Sequence, residues 1–160
     1  MVLLLARTHF SLLTAPASPR ALCEEAVRRG CQHLVLADTN GLYGLYPFAR
    51  EAARVGLQAV FGCELVHAGR RLLLIARDRT GYGSLCALLS ERHGTTGPGG
   101  VPFDLPRACE RHASGLWFLC GDPRLLPGLV ARLPPAQLLV ALPPRHPNWN
   151  PNPTGERGDG

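Results

Sequence analysis

Two carboxylates lie where α/β proteins keep their functional residues. Asp38 follows the apolar run 33–37, and Glu64 comes shortly after the run 58–61, so both lie at the carboxyl ends of predicted strands. In α/β proteins, functional residues gather at the carboxyl ends of parallel strands. Carboxylate oxygens bind Mg²⁺ and Mn²⁺, but two carboxylates without imidazoles hold such an ion only weakly, through water.

Two histidines lie near these carboxylates in sequence. His9 follows the first apolar run, and His67 comes three residues after Glu64, but neither is in register with the acids. A single histidine near a strand end is more often exposed or hydrogen-bonded than bound to a metal. We therefore group His9 with Asp38 and Glu64 as a candidate metal site that could take Mg²⁺, Mn²⁺ or Zn²⁺ weakly, and we expect no resident cofactor.

Other catalytic patterns are missing from the sequence. The segment 81–85 starts like the G-x-S-x-G elbow of serine hydrolases but lacks the last glycine. The glycine-rich segment 94–100 lacks the G-K-[S/T] ending of a phosphate-binding loop. The six cysteines include no C-x-x-C pair, which argues against a zinc knuckle or a secreted disulfide framework and predicts reduced thiols in the cytoplasm. Cys63 and Cys120 could meet near the site, but buried free cysteines usually act as small apolar residues.

Length and composition favour a single folded domain. The chain has 160 residues, of which 46% are hydrophobic and 18% charged, enough for one core. All 17 basic residues are arginine and they are dispersed, so the net charge of +5 does not predict a nucleic-acid face. The apolar start 2–5 is too short for a signal sequence or a membrane span.

Apolar runs alternate with helical patterns along the chain. Strands are predicted at 2–6, 33–37, 58–61, 72–76, 116–120 and 138–142, and helices at 19–29, 47–55, 82–92 and 106–112. Strands separated by helices predict a mostly parallel sheet, either doubly wound or closed into a barrel. The Pro-, Asn- and Gly-rich end, 143–160, has too little apolar surface to order itself and predicts a disordered tail.

Several ordered motifs carry a resemblance to a known family. They are Phe10–Leu13, Ala17–Pro19, Leu36–Gly44, Val60–Leu65, Gly81–Leu85 and Ser114–Leu116. At these intervals the chain, from about Leu3 to Leu142, closely resembles the PHP domain at the N-terminus of bacterial DNA polymerase III alpha subunits of the error-prone type. The resemblance implies a distorted (βα)7 barrel whose strand ends hold divalent metals, bound by His, Asp and Glu, for phosphoester hydrolysis.

At four of the implied ligand positions, this chain has a residue other than the histidine of the family. Leu5 and Arg7 stand where the first strand of the family has His-x-His, Thr39 replaces a histidine after Asp38, and Arg71 replaces another. Leucine has no donor atom, and arginine is a permanent cation without a free lone pair. The last family motif, Asp-x-His, has no counterpart, so we predict an incomplete barrel with open strand edges.

Carboxylates that lose their metal ions need another source of positive charge. Buried acids without a counterion repel each other, which raises the cost of keeping them charged. We therefore predict that Arg7 or Arg71 pairs with Glu64 or Asp38 and replaces metal charge with guanidinium charge. The alternative is that both arginines point into solvent and the carboxylates are exposed.

The sequence thus predicts a degenerate, non-catalytic PHP domain over residues 1–142 of a DNA polymerase III alpha-like protein. Its expected role is structural or partner-binding in DNA replication or translesion synthesis. The expected partner is a polymerase domain or another replication protein, with DNA reached only indirectly and no membrane contact. One alternative is a small metal-dependent phosphoesterase that uses His9, Asp38, Glu64 and His67 in a rebuilt site. Another is a truncated gene product without independent function.

Overall fold

Six strands form one sheet in the same order as they occur in the chain. The computed structural model describes residues 3–8, 17–95 and 102–141, and for 3–5 it describes the backbone alone. The strands are β1 (Leu3–Ala6), β2 (His33–Thr39), β3 (Gln58–His67), β4 (Arg70–Ala76), β5 (Leu116–Cys120) and β6 (Leu138–Val140). Neighbouring strands pair in parallel except that β4 is antiparallel to both β3 and β5. The sheet is therefore mostly parallel, with one reversed strand.

The reversed strand belongs to a β3–β4 hairpin that the sequence did not predict. The expected strand ended at Phe61, whereas β3 continues to His67 and turns at Ala68 and Gly69, whose φ angles are 48° and 69°. The extension forms because its residues pair with β4 along the whole ladder from Gly62 to His67. As a result, Glu64 lies inside a strand rather than in a turn after one.

Five helices and one 3-10 turn connect the strands. They are α1 (Pro19–Arg28), α2 (Leu45–Arg54), α3 (Arg79–Gly94), α4 (Leu105–Arg111), α5 (Leu126–Val130) and the turn Pro135–Gln137. Side chains cap the starts of α1 and α4: Ser18 Oγ accepts the Ala21 N–H at 3.2 Å, and Asp104 Oδ1 accepts the Arg107 N–H at 3.2 Å. Helix α5 was not predicted, because a helix of five residues leaves too little periodic pattern to detect.

Most of the core lies on the helix side of the sheet, although Val35 and Ala37 of β2 are also buried on the opposite face. Leu34 and Leu36 of β2 pack with α1 and α2, while alternate residues of β3, β4 and β5 pack with α3, α4 and α5. The strand register places both clusters on the same face, because paired residues of neighbouring strands point the same way. Phe118 is buried in this core as expected.

Trp117 does not belong to this core, although it lies in the same apolar run as Phe118. It points to the opposite face of the sheet from Phe118 because neighbouring strand residues alternate, and it is 39% exposed. The Arg77 guanidinium lies 5.2 Å from the centre of its ring, a distance typical of a cation–π contact. The sheet face without helices is thus partly open and mixes apolar and charged residues.

The mixed α/β fold with a mostly parallel sheet agrees with the sequence-based expectation. The described residues form six strands, and β1 and β6 are not paired with each other in that part of the chain, so the count of seven barrel strands is not confirmed. His9 and the predicted tail 143–160 lie outside the described residues. No helix in the described ranges is long and apolar enough to cross a membrane.

Candidate functional site

The site is formed by residues on or next to the four neighbouring strands β1 to β4. Arg7 directly follows β1, Thr39 ends β2, and Glu64 stands opposite Thr39 on β3. Arg71 lies on β4, on the same face of the sheet as Glu64, two residues before the Leu73 that pairs with it. The sheet therefore gathers on one face three of the four positions at which the resemblance implies replaced ligands.

Glu64 is enclosed by cationic and hydroxyl donors. Arg7 Nη2 lies 2.6 Å from Glu64 Oε1, and Arg71 Nη1 lies 3.4 Å from the same oxygen. Thr39 Oγ1 donates to Oε2 at 3.3 Å. The Glu64 side chain is only 11% exposed, so the short bond to Arg7 supplies the charge that stabilises it. The predicted arginine–glutamate pairing is present, with Arg7 as the closer partner.

Asp38 has a separate environment on the opposite face of the sheet. It pairs with Cys63 rather than Glu64, and neighbouring strand residues alternate between faces. Asp38 is 2% exposed; its Oδ1 accepts the Thr8 backbone N–H at 2.7 Å, and its Oδ2 accepts the Thr8 hydroxyl at 2.8 Å. Asp38 is therefore hydrogen-bonded to Thr8 and does not form one cluster with Glu64.

Gly44 explains how close the second helix comes to this buried acid. A Cβ built on Gly44 would collide with Asp38 Oδ2 and lie 2.7 Å from Thr8 Oγ1. Only glycine fits at this position, immediately before α2 begins at Leu45. Neither Thr8 nor this close approach was predicted from the sequence, because no local pattern brings a residue after β1 next to the end of β2.

Asn40 holds the end of β2 against the extension of β3. Its backbone has φ 52°, its N–H donates to the Glu64 carbonyl at 2.9 Å, and its Oδ1 accepts the Val66 N–H at 2.8 Å. The end of α3 adds two contacts: Arg92 Nη2 donates to the Val66 carbonyl at 3.0 Å, and His93 Nε2 lies 3.1 Å from the Asn40 carbonyl. These bonds fix the backbone that carries Glu64.

Two other sequence candidates lie away from Glu64. His67 points to the helix side, where its ring packs edge-on against Phe103 with centroids 5.1 Å apart. It borders a small pocket together with Arg70 and Asp104. Cys63 lies in the core, where burial raises the pKa of its thiol to about 12 even though backbone hydrogen bonds oppose the shift. A neutral buried thiol is neither a nucleophile nor a metal ligand at ordinary pH.

The described residues do not fit a divalent-metal cluster. Both oxygens of Glu64 and both oxygens of Asp38 already accept hydrogen bonds from protein donors. Within residues 3–8, 17–95 and 102–141, no group of three or more His, Cys, Asp or Glu side chains could hold an ion. A guanidinium at Oε1 also repels a cation from the position where a metal would approach this carboxylate. Among the described residues, the groups that surround Glu64 are two arginines and a threonine hydroxyl, and the charge of this carboxylate is balanced by arginine.

Comparison with known proteins gives consistent matches. A sequence model of the PHP domain family matches residues 4–130. The error-prone DNA polymerase of Anaeromyxobacter dehalogenans (strain 2CP-C) is 41% identical over 102 residues, which cover 60% of this chain and 9% of the relative. The error-prone DNA polymerase of Mycobacterium tuberculosis (strain H37Rv) is 32% identical over 167 residues, covering 86% of this chain and 15% of the relative. The chain thus corresponds to a small part of these polymerases.

A solved structure supports the fold. An amidohydrolase from Chromobacterium violaceum, whose structure has bound SO4 and no metal, aligns with a TM-score of 0.54 at 15% sequence identity. The alignment covers 81% of this chain and 73% of that protein. At this identity the likeness concerns the arrangement of strands and helices alone.

Proposed function

We propose, from the premise that this chain belongs to the PHP domain family, that it is a degenerate and non-catalytic member of it. Its role is structural or partner-binding within a DNA polymerase III alpha-like protein in the cytoplasm. The partner is a polymerase domain or another replication protein, and contact with DNA during replication or translesion synthesis is made through that partner. The expected domain boundary at residue 142 and the incomplete barrel are part of this proposal.

The ion pair between Arg7 and Glu64 is the observation that carries the proposal. At 2.6 Å it is short enough for a charge-assisted hydrogen bond, and it uses the carboxylate that the resemblance assigns to metal binding. A guanidinium keeps its proton throughout the physiological pH range, so it can replace the charge of an ion but can neither deliver a hydroxide nor act as a base. The pair therefore preserves the fold of the site without its hydrolytic chemistry.

Metal content and hydrolysis together test the loss of catalysis. The wild-type chain, expressed with Mn²⁺ and Zn²⁺ in the medium, is expected to retain less than one ion per chain after gel filtration. It should not hydrolyse bis-(p-nitrophenyl) phosphate above the buffer rate. Stoichiometric metal, with hydrolysis that disappears on Asp38→Ala, would refute the proposal and establish a metal-dependent phosphoesterase instead.

A pair of matched variants tests why metal is lost. The quadruple variant Leu5→His, Arg7→His, Thr39→His, Arg71→His restores imidazoles at the replaced positions, and we expect it to bind at least one Zn²⁺ or Mn²⁺ ion per chain. The control Arg7→Met, Arg71→Met removes the same guanidinium charges without adding ligands, and we expect it to bind none. Equal metal content in the two variants would show that these positions are not former ligand positions.

The partner role needs a separate experiment. On the helix-free face, Leu139 and Trp117 are 49% and 39% exposed, which leaves apolar surface for a partner. Coexpression with the polymerase part of one of the longer relatives should give a complex that co-elutes in gel filtration. Leu139→Glu should weaken that complex, whereas Arg124→Glu, an exposed position after β5, should not. Separate elution of the wild-type chain would contradict the partner role.

A further inference from the structure

Two guanidinium groups converge on a single carboxylate oxygen. Arg7 Nη2 and Arg71 Nη1 lie 2.6 Å and 3.4 Å from Glu64 Oε1. One of the two cations is enough to balance this carboxylate, and Asp38 is bonded to Thr8 on the other face of the sheet. The second guanidinium therefore adds positive charge that Glu64 does not neutralise.

The cationic groups are also the most exposed part of the cluster. The side chains of Arg71 and Arg7 are 63% and 34% exposed, whereas that of Glu64 is 11% exposed. A ligand that approaches from solvent meets guanidinium first and the carboxylate last. Such an arrangement attracts anions and repels cations.

One donor of the arginine pair lacks a hydrogen-bond partner, and another is held only by a long contact. The contact of Arg71 with Glu64 is long, so little is lost when this side chain turns toward a ligand. Arg7 Nε is buried and makes no hydrogen bond, although a buried N–H group without a partner is costly. The buried Nε is out of reach of solvent, but an incoming group with several oxygen acceptors could bond the exposed N–H groups of both side chains.

We propose that Arg7 and Arg71 form a metal-free site for the phosphate group of a ligand. The proposal rests on the proposed function, because it takes the cluster to be free of metal ions. The planar guanidinium fork matches the oxygen spacing of a phosphate, and the cluster of two guanidinium groups and one carboxylate keeps one net positive charge that attracts the anion. Arg71 turns from Glu64 Oε1 to the phosphate, while Arg7 stays bonded to Glu64 and donates with its remaining N–H groups.

Titration with inorganic phosphate in the presence of EDTA tests the site on the full chain. Phosphate should bind saturably, and Arg71→Met should weaken the binding about tenfold or more, the effect of losing one charged hydrogen-bonding partner. Arg50→Met, an exposed arginine on α2, is the charge-matched control and should leave the affinity unchanged. Circular dichroism of each variant checks that the fold is intact.

Three results of the titration in EDTA would overturn the inference. They are the absence of saturable binding to the wild-type chain, equal affinities of the wild-type chain and Arg71→Met, and an equal loss in Arg50→Met, which would indicate general attraction to a basic protein. Phosphate binding that requires added metal would also overturn it. Arginine-dependent binding in EDTA supports the phosphate site even if metal analysis contradicts the proposed function. Failure of the phosphate site and failure of the proposed function therefore give different results.

A competition experiment distinguishes the sources of the phosphate. A short single-stranded oligothymidylate is compared with and without a 5′-phosphate, with inorganic phosphate as the reference. Stronger competition by the phosphorylated strand assigns the site to a nucleic-acid end, and competition by inorganic phosphate alone assigns it to a free ion. Both results support the site.

Discussion

Removing the Arg7 guanidinium should destabilise the protein by an amount that the geometry constrains. Arg7→Met keeps most of the aliphatic length of the side chain but takes away the donor that lies 2.6 Å from Glu64 Oε1. Breaking a fully buried ion pair costs about 3–5 kcal/mol, and an exposed pair contributes about 0–1 kcal/mol. With Glu64 11% and Arg7 34% exposed, we expect a loss of about 2 kcal/mol in the free energy of unfolding.

Arg71→Met is the matched control for this variant. It removes the same charge from the same carboxylate oxygen, but its contact is 3.4 Å long and its side chain is 63% exposed. We expect a loss of about 0.5 kcal/mol. For a chain of this length, the two variants should lower the melting temperature by about 4–8 °C and about 1–2 °C respectively.

The assay is thermal and urea unfolding of the two variants, followed by circular dichroism. A double-mutant cycle with Glu64→Gln isolates the pair: in the Arg7→Met background this second change should cost little, because the uncompensated carboxylate charge is then gone. Equal losses in Arg7→Met and Arg71→Met, or no coupling between Arg7 and Glu64, would refute the assignment of Arg7 as the group that replaces metal charge.

Three further predictions concern other parts of the molecule. Gly44→Ala should lower the melting temperature strongly, because the new methyl group collides with the Asp38 carboxylate, whereas Gly83→Ala, with open space around it in α3, should stabilise the protein by up to about 1 kcal/mol. The arginine and histidine beside Glu91 lower the pKa of its carboxyl group. The contribution of Glu91 to the free energy of unfolding is therefore complete above the ordinary carboxyl pKa of 4.5 and is lost as the pH falls below it. The difference in the free energy of unfolding between the wild-type chain and Glu91→Gln should therefore shrink in acid. At pH 8 the thiol of Cys63, with its pKa raised to about 12 by burial, should resist iodoacetamide in the folded protein and react in denaturant; mass spectrometry of the labelled peptides would contradict this if Cys63 reacted without denaturant.

Local signals account for the parts of the fold that the sequence predicted. The side chains of Ser18 and Asp104 cap their helices by accepting backbone N–H groups three residues later, so each cap depends only on residues close together in sequence. The apolar run of β5 also predicted its strand correctly. What the run did not show is that Trp117 faces away from the core, because a uniformly apolar segment hides the alternation of a strand.

Features that depend on pairing between strands were not predictable in the same way. The direction of β4 follows from the two-residue turn at Ala68 and Gly69. Such a turn predicts a hairpin only when a strand leads directly into it, and the predicted third strand ended at Phe61. Charge reasoning anticipated that Arg7 or Arg71 would meet Glu64. It did not anticipate Thr8, since a neutral hydroxyl residue reaches a buried acid only through the parallel pairing of the first two strands.

Because the spatial order of the strands repeats their order along the chain, each strand docks on one that has already been synthesised. Each strand therefore pairs with a strand that is close in sequence, which keeps the entropic cost of closing the connecting loops low. Assembly on the ribosome, one strand after another from the N-terminus, is the natural route for such a chain.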